Sequence, residues 1–412
     1  MKYAKRLLTS RLHELAAYFP VVVLSGARQV GKSTLLAHAF PNWKVVTFDS
    51  AQDVGNARRD PDLFLDAHPA PLILDEIQYA PELVPAIKRR VDRTRAPSQY
   101  ILTGSQQWAV LQTANESLAG RAVFLELEGF SLAEMARSQS HWLQRYLDNP
   151  HDFVHTPSVD LQRLTLDKTI YEVLFRGALP EATTMPSQLL RAYHDSYITT
   201  YIERDVRLLS EVSDRQRFGQ FTQLVAALTA QEINYSQLGR ELGVVYKTSQ
   251  NWLRVLRDTF QWVEVPAFHS NVVKRVAGKA KGYFADTGLA CALQRISSPE
   301  ALAGHPQTGA LFESAVCAEI RKQMAVMTAP PRLHHWRSYG GSEVDLVLER
   351  DGIFYPIEVK LHSRPTRKDT RGITAFRAAY PQLNIAAGLV IAPTDSLLPL
   401  SDNDWALPWD AV

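Results

Sequence analysis

The run Gly26-Ala27-Arg28-Gln29-Val30-Gly31-Lys32-Ser33 fits the spacing G-x-x-x-x-G-K-[ST]. It follows a short β-branched apolar run, Val21-Val22-Val23-Leu24, and opens a stretch of helical character from Lys32 to about Phe40. Strand, glycine-rich turn and helix in that order commit this part of the chain to a parallel α/β sheet with an anion site at a strand's carboxyl end. The glycines let the backbone wrap phosphates. The amides from Gly26 through Thr34, together with the positive helix end, stabilise the anion. Lys32 is placed to reach β- and γ-phosphates, and the Ser33 hydroxyl to ligate Mg²⁺.

Further short apolar runs fit a sheet covered on both faces by helices such as Glu82–Thr94. They are Trp43–Phe48, Pro71–Leu74 and Gln99–Leu102. Pro71–Leu74 leads into Asp75-Glu76, so two carboxylates emerge at a strand's carboxyl end. Asp75 is expected to hold the metal, and Glu76 to orient and deprotonate an attacking water, which favours hydrolysis of ATP over binding alone. Thr103 and Ser105 follow another strand, as ligands of that water or of the γ-phosphate, or as ordinary turn formers. Arg121 sits in a small-residue loop, either as an arginine meeting a γ-phosphate in its own or a neighbouring subunit, or as a structurally paired one.

The Val22–Leu35 stretch, Leu72–Gln78, Leu102–Gln106 and Ser117–Arg121 resemble AAA+-type bacterial and archaeal ATPases with an uncharacterised C-terminal domain. The resemblance continues through Gly177–Pro180, Tyr201–Asp205 and Lys281–Gly288, and so spans most of the chain. It implies an ATPase core, a winged-helix segment and a nuclease-like tail. Many AAA+ relatives form hexameric rings, so it also implies a homo-oligomer in which Arg121 or Arg204 is a candidate finger acting in trans.

On this reading residues 1–165 form the P-loop NTPase domain, residues 166–296 a helical lid and winged helix, and residues 309–412 an α/β restriction-endonuclease-like domain. Ser297–Thr308 is read as a linker. In the middle part, Ser236 is read as capping a short helix that ends at Leu242. Gly243 turns the chain, Lys247–Leu256 forms the next helix, and two strands flank a basic loop between Trp262 and Phe284. Lys247, Thr248, Gln250, Asn251 and Arg254 then face outward as a recognition surface, and Lys274, Arg275, Lys279 and Lys281 form a wing on a DNA backbone. The competing reading makes this module a lid and a protein-contact surface.

In the last part, Glu343–Leu348 and Tyr355–Lys360 alternate as strands around the turn Arg350–Gly352. Period two puts Glu358 and Lys360 on one face, and a hairpin brings Asp345 to Glu358. Glu313, on a helix from Leu311 to Met324, is a third acid. Two carboxylates and a lysine in this order are similar to the PD-(D/E)xK nuclease motif, with Val344 where the motif has proline. The resemblance implies a second Mg²⁺ or Mn²⁺ and phosphodiester hydrolysis. A surface ion pair, or a nuclease fold that binds DNA without cutting, fits the same residues. Arg364, Arg367, Lys368 and Arg371 lie nearby, either against a phosphate backbone or on a solvated face.

Lys plus Arg is 45 and Asp plus Glu 43 in 412 residues, so nucleic-acid contact must come from local patches rather than a polycationic surface. The two cysteines, Cys291 and Cys317, match no metal spacing and point to a reducing cytosol. No apolar run reaches membrane-spanning length, and the basic amphipathic N-terminus reads as a surface helix rather than a secretory signal. The expectation is a cytoplasmic, Mg²⁺-dependent ATPase that binds and remodels or processes DNA. An ATPase with a protein client and a metal-dependent nuclease regulated by ATP are the alternatives.

Overall fold

The structure, a computed structural model, describes residues 3–105, 118–139, 142–155, 162–202, 214–270 and 278–411. They fall into two compact units: residues 2–129 with 258–260, and residues 130–257 with 261–412.

The first unit runs α1 (Leu8–Tyr18), β1 (Val21–Ser25), α2 (Lys32–Ala39), β2 (Lys44–Thr47), α3 (Ala51–Arg59), α4 (Pro61–Ala67), β3 (Leu72–Asp75), α5 (Leu83–Thr94), β4 (Tyr100–Gly104) and β5 (Ala122–Glu126). All five strands are parallel, in the order β2-β3-β4-β1-β5. This is the P-loop NTPase fold. Strands β1, β3 and β4 are buried along their whole length, as a sheet covered on both faces requires. Leu72, Leu74, Ile77, Leu83 and Ile87 close one side of the core. β4 lies between β3 and β1, so the carboxyl ends of all three strands open on one edge of the sheet.

The amphipathic N-terminal helix is more deeply used than its composition suggests. α1 buries Leu8, Leu12, Leu15 and Ala16. Arg6, just ahead of it, is only 4% exposed.

The second unit contains β6 (Gln231–Glu232), α6 (Tyr235–Leu242), α7 (Tyr246–Asp258), β7 (Trp262–Val265), β8 (Lys281–Phe284), α8 (Thr287–Leu293), α9 (Thr308–Met324), β9 (Arg332–Arg337), β10 (Glu343–Arg350), β11 (Ile353–Val359), α10 (Arg371–Ala379), β12 (Asn384–Ile385), β13 (Gly388–Ala392), β14 (Leu398–Ser401) and β15 (Asp404–Pro408). β6, β8 and β7 form a small antiparallel sheet beside the helix pair α6–α7. Asn234, not Ser236, caps α6: its side chain accepts from the Gln237 N–H at 3.1 Å, because the helix starts two residues earlier. The C-terminal sheet is mixed, in the order β14-β15-β13-β11-β10-β9 with β12 beside β11.

Two segments that carry the family resemblance turn out to pack on each other. Asp286 caps α8 through the Leu289 N–H, and its other oxygen accepts from the Ala178 N–H at 2.7 Å. A Cβ at Gly177 would lie 2.2 Å from Asp286, and one at Gly288 would lie 2.3 Å from the Arg176 carbonyl. Gly177–Pro180 and Ala285–Gly288 therefore specify a joint in the fold. Ser297–Thr308 is not a bare linker, since it holds a helix, Pro299–Ala303, that buries Leu302 completely.

Candidate nucleotide site and the C-terminal acid set

The loop after β1 has the backbone an anion cradle needs. Gly31 takes φ +93°, which favours glycine. Gly26 passes so close to the segment just after β5 that a Cβ would meet the Leu127 carbonyl oxygen at 2.1 Å. We expect Gly26→Ala to part the loop from Leu127. The cost should be about 1–3 kcal/mol of stability, with nucleotide affinity reduced more than tenfold; melting and nucleotide titration of the same preparation check both. Helix α2 begins at Lys32 with the Leu35 N–H bonded to the Gly31 carbonyl at 2.8 Å. Its first-turn amides therefore point out of the helix towards the loop. Lys32 is buried, and its ammonium donates to the carbonyls of Gly26 and Ala27, both at 2.9 Å, while Ser33 and Thr34 are exposed. Ala27, Arg28, Gln29 and Val30 complete the loop, with Arg28 tied to the Tyr79 hydroxyl at 3.2 Å.

The acids at the end of β3 meet this loop. The Ser33 hydroxyl donates to Asp75 Oδ2 at 2.7 Å. Asp75 is 5% exposed, and its other oxygen accepts from Thr103. A hydroxyl and a carboxylate facing each other at the loop are hard oxygen donors of the kind Mg²⁺ takes, so Ser33 and Asp75 fit that ion. Glu76 has φ +61°, a left-handed conformation just past the end of the strand. Its carboxylate accepts from Gln78 and from the Ser105 hydroxyl at 3.3 Å, and Gln78 also reaches Ser105 at 3.2 Å.

The second unit holds the other acid cluster. Asp345 and Glu358 face each other across β10 and β11, with the Asp345 N–H donating to Glu358 Oε2 at 3.2 Å. The Val359 N–H donates to Asp345 Oδ2 at 3.0 Å. A register shift between Val344 and Val347 in the β9–β10 pairing places Asp345 in a bulge. Lys360 lies 3.7 Å from Glu358. The Lys281 ammonium enters from β8 and lies 3.0 Å from Asp345 Oδ1 and 2.6 Å from Glu313 Oε1. The Tyr283 hydroxyl donates to that same Glu313 oxygen at 2.7 Å. Burial, then Asp345, pushes Glu358 well above the carboxylate range. Burial would also raise Asp345, but Lys281 and Lys360 outweigh it and hold that carboxyl below its ordinary value. Burial, then Asp345, raises Glu313 as well, to about 7, with Lys281 opposing the rise. Among the described residues, no group of three or more His, Cys, Asp or Glu side chains is arranged to hold a metal ion.

Residues 18–136 match a family model described as an AAA domain. Residues 167–300 and 308–412 match models described as Domain of unknown function (DUF8612) and Domain of unknown function (DUF4143). Two uncharacterised proteins, of Mycobacterium bovis and Mycobacterium tuberculosis, are each 30% identical to the chain over 414 residues, which is 100% of it and 85% of them. The chain belongs to their family. It is a family with an AAA-type P-loop ATPase domain at the front. A solved Walker-type ATPase of Pyrococcus abyssi is 16% identical, covering 69% of this chain and 94% of its own, with a TM-score of 0.45.

Several residues of this family member sit elsewhere than the sequence suggested. Thr103 is fully buried; it donates to Asp75 and accepts from the Glu76 N–H at 3.2 Å, so it positions the acids and does not reach a phosphate. Arg121 lies just before β5, at the opposite edge of the sheet from the loop, roughly 20 Å of strand rise away. It is bonded to Asp92 on α5 and holds that carboxyl below its ordinary range. A finger role in its own subunit is thereby ruled out. Lys281 belongs to no wing: it is buried in β8 with two acid partners. Lys247, Arg254 and Lys279 are exposed, whereas Lys274, Arg275, Ser117 and Arg204 fall outside the described residues.

Two polar residues carry more than their sequence context announced. Arg6 donates to the Val30 carbonyl of the phosphate loop at 2.7 Å and to the Glu128 and Gly129 carbonyls at 2.7 and 3.1 Å. It pins the loop to the segment after β5. Gln78 holds the Glu76 carboxylate from the short 3-10 turn Ile77–Tyr79 that follows β3, a contact that strand alternation does not announce.

Proposed function

We propose that the chain is a Mg²⁺-dependent ATPase that binds and remodels DNA, with its C-terminal domain serving as a binding module that does not cut. The observation that carries the ATPase reading is the meeting of Ser33 with Asp75 beside the loop while Glu76 is held apart by Gln78 and Ser105. Ser33 and Asp75 would hold Mg²⁺, which neutralises phosphate charge when bound. Lys32 then releases the loop carbonyls for phosphate oxygens, and Glu76 orients and deprotonates water.

The DNA reading rests on α7, whose inner side buries Ser249, Trp252, Leu253 and Leu256. That leaves Lys247, Gln250 and Arg254 exposed at helical spacing, with Lys279 exposed just before β8. Arg364, Arg367, Lys368 and Arg371 add a second exposed basic run in the C-terminal domain. We further propose a homo-oligomer, with a neighbour's Arg121 or Arg204 as finger in a ring.

Phosphate release measured with and without single-stranded, duplex and branched DNA tests the reading. Lys32→Ala is expected to abolish turnover; unchanged turnover sinks the ATPase assignment. Lys247→Ala and Arg254→Ala are expected to weaken DNA binding across sequences and to lower the salt slope by about 1 each. If no DNA form binds at moderate salt while Lys32-dependent turnover persists, the client is a protein, and exposed Val245 and Tyr246 at the start of α7 become its contacts.

A further inference from the structure

A nuclease-like reading of the C-terminal domain implies a divalent metal at Glu313, Asp345 and Glu358. The residues do not fit that group. We infer that the Lys281 ammonium occupies the cation position of this acid set, making it an internally neutralised lock and not a metal site.

The argument is one of oxygens and space. A divalent ion such as Mg²⁺ binds about six oxygens at short range. Here Asp345 spends one oxygen on Lys281 and the other on the Val359 N–H. Glu313 Oε1 serves both Lys281 and Tyr283. Glu358 is engaged by the Asp345 N–H on one oxygen and by Lys360 on the other. An ion bonded to the same oxygens of Glu313 and Asp345 would overlap the ammonium and meet its positive charge. The Lys281 side chain is 8% exposed, so it is no surface cation that drifts aside.

Its strand is fixed on either side. A Cβ at the next residue, Gly282, would lie 1.9 Å from the Trp262 ring, and the residue after that is Tyr283, which supplies the hydroxyl to Glu313. The lysine thus arrives on a strand packed too tightly to shift. It joins β8 to α9 and β10, which lie 32 and 64 residues further along the chain, and Asp345 carries the set on to β11 through the Val359 N–H. A site built to exchange ions has no use for a cation delivered by its own fold. A lock between segments does.

Mn²⁺ binding to the full chain without nucleotide tests the inference, read by electron paramagnetic resonance and by melting temperature. Wild type is expected to show no Mn²⁺ binding that depends on Asp345. Lys281→Ala is expected to gain one bound Mn²⁺ per chain and to melt about 5 °C higher at a hundredfold excess of Mn²⁺ over its Kd. Both gains should vanish in Lys281→Ala/Asp345→Asn. A wild-type Mn²⁺ site lost in Asp345→Asn overturns the inference. So does Lys281→Ala that folds and gains no ion. If Lys281→Ala is unfolded alone, a melting transition restored by Mn²⁺ supports the inference, and unfolding at every Mn²⁺ concentration counts against it. Neither ATP hydrolysis nor DNA enters the measurement, so it stands apart from the proposed function.

Discussion

Glu76→Gln is expected to lower kcat for ATP by about 10²- to 10⁴-fold, the range that a positioned general base contributes. Nucleotide affinity should stay within a few-fold of wild type. The separation follows from where each group sits. The binding parts are the loop backbone, Lys32, which donates to the Gly26 and Ala27 carbonyls, and Ser33, which donates to Asp75, whereas Glu76 stands just past the end of β3. Its carboxylate is held instead by Gln78 and Ser105. Glutamine keeps an oxygen for those donors and suits the same backbone about as well, so the change removes the base with little else. Single-turnover phosphate release paired with equilibrium nucleotide binding reads the two quantities separately. Equal losses in both would mean that Glu76 supports the loop and is not the base.

The phosphate site was legible because its chemistry sits at the ends of continuous apolar runs. Val21–Leu24 and Leu72–Leu74 are buried parallel strands, and such strands announce themselves without alternation. Each is followed at once by the residues that matter, Gly26–Ser33 and Asp75-Glu76. The hairpin register that brings Asp345 to Glu358 was readable for a related reason, since period two fixes which side chains share a face. Arg6 was not readable. An arginine in a basic amphipathic segment looks solvated, and only the distant carbonyls of Val30, Glu128 and Gly129 explain its burial. For Arg121 the sequence left a finger and a structurally paired arginine open, because a small-residue loop says nothing about which edge of the sheet it occupies. Its pairing with Asp92 on α5 favours the second within its own subunit. Lys281 was misread because it ends a run rich in lysine and arginine. The strand that begins with it turns it inward with Tyr283, and the acids that neutralise it lie 32 and 64 residues further along the chain.

The largest effect on stability is expected at Asp345. Asp345→Ala should destabilise the second unit by about 3–5 kcal/mol, the cost of removing one partner from a buried ion pair. The loss has identifiable parts. The Lys281 ammonium keeps Glu313 but loses the carboxylate at 3.0 Å, and the Val359 N–H is left without its acceptor inside the sheet. An exposed pair such as Arg191–Asp195, with side chains 42% and 51% exposed, should instead yield under about 1 kcal/mol when broken. Replacing both members decides what the pair itself contributes. Lys281→Met/Asp345→Asn leaves no unpaired charge at these two positions and keeps most of the volume, so it should cost less than the sum of the single changes by about 2 kcal/mol. Urea unfolding of the four proteins gives that coupling. If the four stabilities simply add, the ammonium and the carboxylate do not act as a unit, and the stability of this region has to be assigned to apolar packing around β10 and β11.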